Sequence, residues 1–273
     1  MGFPGMGGGG FGFPMKAGGG LMALLLAAAA IFLPKLLGGS QQALTESGVG
    51  PEAPAGTEES CQTELEQTLC GAVNDTSEYW LRTFPTAFQQ EYREANTVFF
   101  SQATNTGCGQ ASAQLGPFYC PADELVYFDL QFLEQLQNQL SAPGDLASQY
   151  IVAHEYGHHV QNVLGISAQV RQAEQQDPAN ANRYSVALEL QADCLAGAWA
   201  RDADERNQLD EGEIAEAIRA AEAVGDDAIQ RGAGQQVNQE TFTHGSSEQR
   251  VQWFRRGYDT GDPRQCNTFD EVL

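Results

Sequence analysis

The run His154-Glu155-Tyr156-Gly157-His158 places two imidazoles four positions apart, with a carboxylate directly after the first. Four residues of α-helix turn the chain by about 400°, so both rings lie on one face, about 6 Å apart along the axis. Both rings can then bind one tetrahedral zinc ion. Glu155 points about 100° away from His154, where it is better placed to contact a water on the metal than to be a third ligand. The run therefore predicts a zinc site with an adjacent base.

The residues on either side of this run favour a helix. Residues 149–153 and 160–164 are largely apolar and contain no proline, and Gly165 offers an end to the helix. A third histidine in the metzincin position is excluded, because Gln161 and Leu164 stand where that pattern needs Gly and His. The third ligand must therefore come from elsewhere in the chain.

A second segment, residues 185–200, supplies the candidate. It is rich in alanine and apolar residues, which predicts a buried helix, and it carries two carboxylates, Glu189 and Asp193, four positions apart. Buried carboxylates need a partner. Zinc would satisfy Glu189, and Asp193 could accept the ring N–H of a ligand histidine and fix its tautomer. The alternative is that both acids pair with arginines such as Arg183 or Arg250.

Three segments of the chain resemble a known family, the neutral zinc metallopeptidases of bacteria of the YpfJ type. The resemblance extends over most of residues 60–270. A histidine late in the chain, His244, with Arg250 six residues on, also makes the chain distantly similar to the prenyl-protein and HtpX-like membrane metallopeptidases. The resemblance implies a zincin with His154, His158 and Glu189 as zinc ligands and Glu155 as catalytic base. The segments that carry it are 154–161, 189–194 and 242–250, with 116–121 and 266–269 as further matches.

His244 precedes a capping-box pattern, residues 246–249, that opens a predicted helix through Arg250. Similarity to the HtpX-like relatives implies that His244 is catalytic and donates to the charged tetrahedral intermediate. The alternative is a hydrogen-bonded structural histidine. Arg250 is expected to pair with Asp193 or another acid.

Two further side chains of the histidine helix fall off the ligand face. His159 faces a different side from His158, so we expect it to support the site or to pack in the core. Tyr156 is a candidate hydrogen-bond donor on the same helix.

The first 60 residues divide by composition into three parts. Residues 1–20 are half glycine and predict a disordered tail. Residues 21–39, whose first 13 residues form a charge-free apolar run, predict a transmembrane anchor. Residues 40–60 are rich in Gly, Ser, Pro, Ala and Glu and predict a linker.

A cleaved signal peptide is the alternative to the anchor. No Ala-x-Ala-like site follows the apolar run closely, which favours an uncleaved segment. Lys16 before the run and the acidic chain after it favour an exported C-terminal part, whereas Lys35 opposes that orientation.

All six cysteines follow the apolar run, and an even number in an exported domain predicts disulfides. We expect the pairs Cys61–Cys70, Cys108–Cys120 and Cys194–Cys266, because the first two close short local loops. A second metal cluster is the alternative, and the absence of any Cys-x-x-Cys spacing in the sequence disfavours it.

Residues 61–273 have an ordinary length for one domain. Their pattern predicts an α+β, mainly helical fold with a small sheet, and the resemblance implies that this is a zincin-like metallopeptidase domain. Residues 78–96 predict an amphipathic helix, residues 211–224 predict another, and nearly all of the chain after residue 130 is expected to be helical. The first helix is expected to turn Trp80, Leu81, Phe84 and Phe88 inward.

Two short strands are predicted at residues 118–120 and 125–129, on either side of a Pro-Ala-Asp turn. In zincins such an edge strand often pairs with an extended substrate beside the metal, so this strand pair is a candidate peptide-binding edge. The alternative is a hairpin in the core.

The domain is strongly acidic. The whole chain has a net charge of −22, and the residues from 36 onward carry 12 arginines and no lysine against 36 acids, which gives −24. Such a charge argues against nucleic acid and anionic membrane surfaces as partners.

Together with the resemblance, these features predict a membrane-anchored zinc endopeptidase that acts on peptides or proteins outside the cytoplasm. The alternative from another class is a catalytically silent, zinc-stabilised binding module of the cell envelope. Glu155 favours the first, because a scaffold needs the three ligands but not the base. A cell-wall amidase is a third hypothesis, disfavoured because such sites use other ligand patterns.

Overall fold

The computed structural model describes residues 53–54, 61–112, 115–140, 146–210 and 212–273. The predicted tail, the predicted anchor and most of the predicted linker lie outside the described residues. Within the described part of the chain, no helix is both long enough and apolar enough to cross a membrane.

The fold is mainly helical with a small sheet, which confirms the predicted α+β class. Each element takes a number in chain order. The helices are α1 (Glu64–Phe88), α2 (Leu130–Leu140), α3 (Leu146–Val163), α4 (Ile166–Gln176), α5 (Ala181–Glu205), α6 (Glu213–Ala223), α7 (Asp226–Gly232), α8 (Ser247–Thr260) and α9 (Phe269–Val272). The strands are β1 (Ala53–Pro54), β2 (Asn96–Phe100), β3 (Ala103–Thr106), β4 (Gly109–Ser112), β5 (Phe118–Cys120) and β6 (Leu125–Asp129).

The main sheet has the order β1-β2-β6-β5, so β5 lies at one edge. Strands β2 and β6 are parallel, whereas β5 and β6 form an antiparallel pair in which Tyr119 lies opposite Val126. Strands β3 and β4 form a separate hairpin. The two predicted strands are therefore confirmed with their bounds, and the first of them is an edge strand.

The prediction for residues 78–96 was wrong at both ends. Helix α1 begins at Glu64, behind a capping box formed by Thr63 and Glu66, and it ends where Gln89 adopts φ 55°. Residues 96–100 form β2 instead, as their β-branched and aromatic composition favours. Trp80 and Phe84 are fully buried as predicted and Phe88 is half-buried, but Leu81 lies about 100° round from Trp80 and is 43% exposed.

Helices α3, α5 and α8 build the centre of the domain. Glycines permit α5 and α8 to touch, because a Cβ atom on Gly257 would lie 1.9 Å from the carbonyl oxygen of Cys194. A Cβ atom on Gly197 would lie 2.0 Å from the carbonyl oxygen of Phe254. This close crossing positions the first turn of α8 over α5.

The predicted helices of this region are confirmed. Helix α3 contains the histidine run and stops before Gly165, which has φ 74°. Helix α5 contains the whole of residues 185–200, and α6 lies within the predicted 211–224.

The three predicted disulfides are also confirmed. Bonds join Cys61 to Cys70, Cys108 to Cys120 and Cys194 to Cys266. The third connects α5 to the segment after α8, so the thiols are not available for a second metal cluster.

Candidate metal centre

Three buried side chains converge where α3 meets α5. The Nε2 atom of His154 lies 3.3 Å from one carboxylate oxygen of Glu189, and Nε2 of His158 lies 3.3 Å from the other. One ligand atom from each of the three residues lies within 4.8 Å of the other two. The structure therefore brings together the three predicted ligands.

These distances fit a tetrahedral cation better than they fit direct hydrogen bonds. Zinc holds nitrogen and oxygen ligands at about 2.0–2.1 Å, and two such ligands at the tetrahedral angle are about 3.3 Å apart. A charge-assisted N–H···O bond would be shorter, at about 2.7–2.9 Å. The donor set, two imidazoles and a carboxylate, is also one that zinc uses in open catalytic sites.

The charges around the three ligands favour a dication. Glu155, Glu189 and Asp193 are three buried carboxylates, and Arg250 is the buried guanidinium that faces them. With neutral histidines the group carries two excess negative charges away from water, which is costly. A single Zn²⁺ would balance them.

Asp193 orients His154. Its Oδ1 lies 2.9 Å from Nδ1 of His154, so the ring donates there and leaves Nε2 free to bind a metal. Arg250 donates to both carboxylate oxygens of Asp193 at 2.8 Å, and the hydroxyl of Tyr150 donates to Oδ1 at 2.5 Å. The Arg250 guanidinium and the His154 ring outweigh the effect of burial and lower the pKa of Asp193 to about 2.

The arginine alternative therefore holds for Asp193 but not for Glu189. Arg250 pairs with Asp193 as expected, whereas Glu189 faces the two histidines. Arg183 donates to the backbone carbonyls of Val272 and Leu273 instead.

The side-chain amide of Gln161, which was not among the predicted site residues, orients His158. The ring donates from Nδ1 to Oε1 of Gln161 at 2.9 Å. The amide nitrogen of Gln161 is held by the carbonyl of Leu188 and by Oε1 of Gln191, at 2.7 and 3.1 Å. Because this nitrogen is committed to α5, Oε1 must face His158, and Nε2 of that ring points at Glu189.

Glu155 opens into the same cavity as the three ligands. Glu155 is 6% exposed, and the backbone N–H of Tyr119 on β5 faces its carboxylate and stabilises the charged form. Burial raises the pKa of Glu155, against the lowering effect of the two histidines. A carboxylate beside a candidate metal site, with a raised pKa, is suited to accept and return a proton.

His244 lines this cavity as well. Its Nδ1 lies 3.0 Å from Oδ1 of Asp226, and Oδ2 of Asp226 accepts the backbone N–H groups of Thr243, His244 and Gly245 at 2.7, 2.6 and 3.0 Å. Asp226 thus fixes both the loop and the ring. The predicted cap is confirmed, since Ser246 and Gln249 form a capping box that starts α8.

The family model described as Putative neutral zinc metallopeptidase matches residues 1–269. This chain belongs to that family. The uncharacterized protein YpfJ of Escherichia coli (strain K12) is 40% identical over 277 residues, which cover 99% of this chain and 93% of YpfJ. The uncharacterized proteins Mb2605 of Mycobacterium bovis and Rv2575 of Mycobacterium tuberculosis are each 46% identical over 189 residues, 65% of this chain and 63% of theirs. No solved structure matches the chain.

In this member of the neutral zinc metallopeptidase family, the other two side chains of interest on α3 point away from the metal centre. His159 lies 2.5 Å through Nε2 from the backbone carbonyl of Arg93, to which it donates, so its Nδ1 accepts from the hydroxyl of Tyr119 at 3.2 Å. His159 supports β5 and, as predicted, lies off the ligand face. The hydroxyl oxygen of Tyr156 lies 3.2 Å from the hydroxyl oxygens of Ser77 and Thr97, so Tyr156 plays no part in the metal centre.

The candidate centre of this chain forms the floor of a cavity of about 110 Å³. Its walls come from β5 and the residues before it, from α2, from α3, from Val224 after α6 and from α7. Sequence reasoning missed the wall from α2 and the supporting residues Gln161 and Asp226. An amide three positions after His158 was the one local signal that could have revealed Gln161.

Proposed function

We propose that this member of the family is a zinc-dependent endopeptidase, anchored to a membrane through residues 21–39, with its domain outside the cytoplasm. The observation that carries the proposed activity is the position of Glu155. Its buried carboxylate faces the cavity beside the three ligands, and no arginine or lysine among the described residues forms an ion pair with it. A buried carboxylate without a cation partner is costly to keep, which supports a chemical role for Glu155.

His154, His158 and Glu189 would hold the zinc ion. When bound, zinc lowers the pKa of a coordinated water toward about 7 and polarises the scissile carbonyl. The Glu155 carboxylate accepts the proton that the attacking water loses and returns it to the nitrogen of the leaving amine. His244, with both ring nitrogens protonated, donates through Nδ1 to Asp226 and through Nε2 to the carbonyl oxygen as that oxygen gains negative charge.

The second candidate function is a zinc-stabilised binding module without turnover. The buried supports of the ligands, Asp193 and Gln161, suit a structural site as well as a catalytic one. A structural zinc site is normally closed by four protein ligands, whereas in the described part of the chain three converge here and a cavity adjoins them. That difference favours the peptidase.

The proposed location outside the cytoplasm rests on the disulfides of the domain and on the apolar run that begins the predicted anchor, residues 21–39. All six cysteines form disulfides, and disulfides persist mainly in oxidising compartments. Protease added to intact spheroplasts should digest the domain if it is exported. Digestion only after lysis would place the domain in the cytoplasm.

The proposed activity can be tested by comparing the zinc-loaded full chain, with disulfides intact, with Glu155→Gln on a pool of unfolded peptides. We expect chelator-sensitive cleavage by the wild type and a loss of kcat/KM of at least about a thousandfold in the variant. Bound zinc, measured by elemental analysis, should stay at one per chain in both. Glu91→Gln makes the same chemical change at an exposed position and should cleave like the wild type.

Retained cleavage in Glu155→Gln would remove Glu155 as the base. A folded, zinc-bound wild type that cuts nothing in the pool would support the binding module.

A further inference from the structure

We infer that the cleft selects an extended peptide segment with a large apolar side chain, of the leucine, methionine or phenylalanine class, next to the bond that is cut. This inference rests on the proposed function and names its substrate class.

The cavity walls are apolar, although the chemistry at its floor is polar. Above the candidate ligands, the lining side chains are aliphatic or aromatic and come from four separate segments of the chain. They include Leu115, Phe118, Phe132, Leu136, Val224 and Ile229. An apolar side chain that enters this space is removed from water, at about 25 cal/mol per Å² of apolar surface.

Apart from the proposed base Glu155, the charged groups that line the cavity are already committed to partners. Arg250 donates to Asp193 and to the backbone carbonyl of Val224, and His244 is paired with Asp226. Glu189 faces the two ligand histidines. In the described lining, no further acid or base stands on the walls to neutralise a charged substrate side chain. A charged side chain would therefore lose its hydration without compensation.

Strand β5 can hold the backbone of such a segment. It lies at the edge of the sheet, and the N–H of Tyr119 points away from β6, toward Glu155. In an antiparallel strand the N–H and C=O of one residue point to the same side, so the carbonyl of Tyr119 also faces the cleft side. An extended peptide can donate a backbone N–H to this carbonyl and add a strand to the sheet. Extended binding places alternate side chains on one face, which can direct one of them into the cavity.

Phe132 forms part of the cavity wall next to the residues that lead into β5. Its ring packs on Gly116, where a Cβ atom would lie 3.2–3.4 Å from three ring carbons. Gly116 has φ +68°, a conformation that glycine adopts without strain, so the chain before β5 can turn beneath the ring. Phe132 is only partly buried and lines the cavity.

The first test is cleavage of a peptide series on one scaffold, varied singly at the positions on each side of the cut bond. At one of these positions we expect kcat/KM to be at least about tenfold higher for Leu or Phe than for Ala. For Asp or Lys at that position we expect at least about a hundredfold lower kcat/KM than for Leu. Cleavage that is indifferent to all of these side chains would overturn the inference while leaving the peptidase intact.

The second test does not depend on turnover. Zinc-loaded Glu155→Gln is titrated with the Leu and Asp peptides, and we expect at least about tenfold tighter binding of the Leu peptide. If the proposed peptidase activity fails, this preference still reports on the cleft. Equal affinities for the two peptides would overturn the inference on either function.

Phe132→Ala locates the effect in the cavity. We expect this variant to reduce the Phe-over-Ala preference by about fivefold or more, with zinc content unchanged. Phe88→Ala is the matched control, because it truncates a half-buried phenylalanine of α1 that does not line the cavity. An equal loss of preference in the two variants would contradict the assignment of Phe132 to the wall. An unchanged preference in both variants would contradict it as well.

Discussion

The two halves of the candidate centre are held in different ways. The ligand half is supported from the two helices that carry the ligands, because Asp193 on α5 bonds His154 on α3 and Gln161 follows His158 by three residues of α3. The reactive half depends on contacts with segments outside these two helices. Glu155 meets the backbone of Tyr119 on β5, and His244 is held by Asp226, 18 residues earlier in the chain.

This difference separates metal binding from turnover. The ligand half is buried among α3, α5 and α8, so damage there should weaken the fold or the metal site. The reactive half borders the cavity, so damage there should slow cleavage and leave zinc in place. Each of the following substitutions tests that separation.

The largest effect is expected for Asp193→Ala. It leaves the guanidinium of Arg250, which is 3% exposed, without its carboxylate, and an uncompensated buried charge costs about 3–5 kcal/mol. Denaturant unfolding of the metal-free protein, with disulfides intact, measures this loss directly.

Arg82→Ala serves as the control for Asp193→Ala. Arg82 pairs with Asp202 at the surface, and such a pair contributes about 0–1 kcal/mol. A loss below about 1 kcal/mol in Asp193→Ala would show that the buried pair is not a main support of the ligand half.

Glu189→Gln should weaken the affinity for zinc by more than about a hundredfold. Loss of a group that only supports a ligand costs about 10–100-fold, and this change replaces the carboxylate ligand itself with a neutral amide of the same shape. Competition with a chromogenic chelator measures the Kd.

Glu205→Gln, at an exposed position on the same helix, should bind zinc like the wild type. An unchanged Kd in Glu189→Gln would exclude Glu189 as a ligand.

His244→Ala tests the reactive half. If His244 donates to the developing oxyanion, kcat should fall by about 10²–10³-fold, because the donor acts in the transition state, while zinc content and KM change little. Steady-state kinetics with elemental analysis separate these quantities. Gln239→Ala, an exposed change in the preceding loop, is the control. Loss of zinc together with kcat would instead assign His244 to the ligand half.

The sequence predicted the ligand half because helical periodicity places residues four apart on one face. His154 with His158, and Glu189 with Asp193, needed only that two helices form and that both be buried. The disulfide pairs and the two strands at 118–120 and 125–129 were also predicted correctly. Except for Cys194–Cys266, whose partners are 72 residues apart and which remained after the two short loops were paired, the information lies within a short stretch of chain.

The missed features depend on distant parts of the chain. Nothing around Asp226 indicates that it will cap the loop of His244, and nothing in α2 indicates that Phe132 will form a wall of the cavity. The error in α1 has a local cause, since the capping box at Thr63 lay outside the apolar stripe that was used to place the helix. Leu81 was assigned inward although it lies about 100° round the helix from Trp80, outside the buried stripe.

The smallest effect, and the finest test of the comparison, is expected for Tyr119→Phe. The hydroxyl of Tyr119 donates to His159 and accepts from Asn162 at 3.0 Å, which ties β5 to the helix that carries the ligands. Its loss should lower the free energy of unfolding by about 1 kcal/mol. Because β5 would be held less firmly against α3, KM for peptides should rise while the Kd for zinc stays the same. Tyr258→Phe removes a hydroxyl bonded to Asp204, far from the cavity, and should leave KM unchanged. If both variants raise KM equally, the contacts of β5 contribute only to the general stability of the domain. If Tyr119→Phe loses zinc, β5 supports the ligand half as well, and the two halves are not separable at this strand.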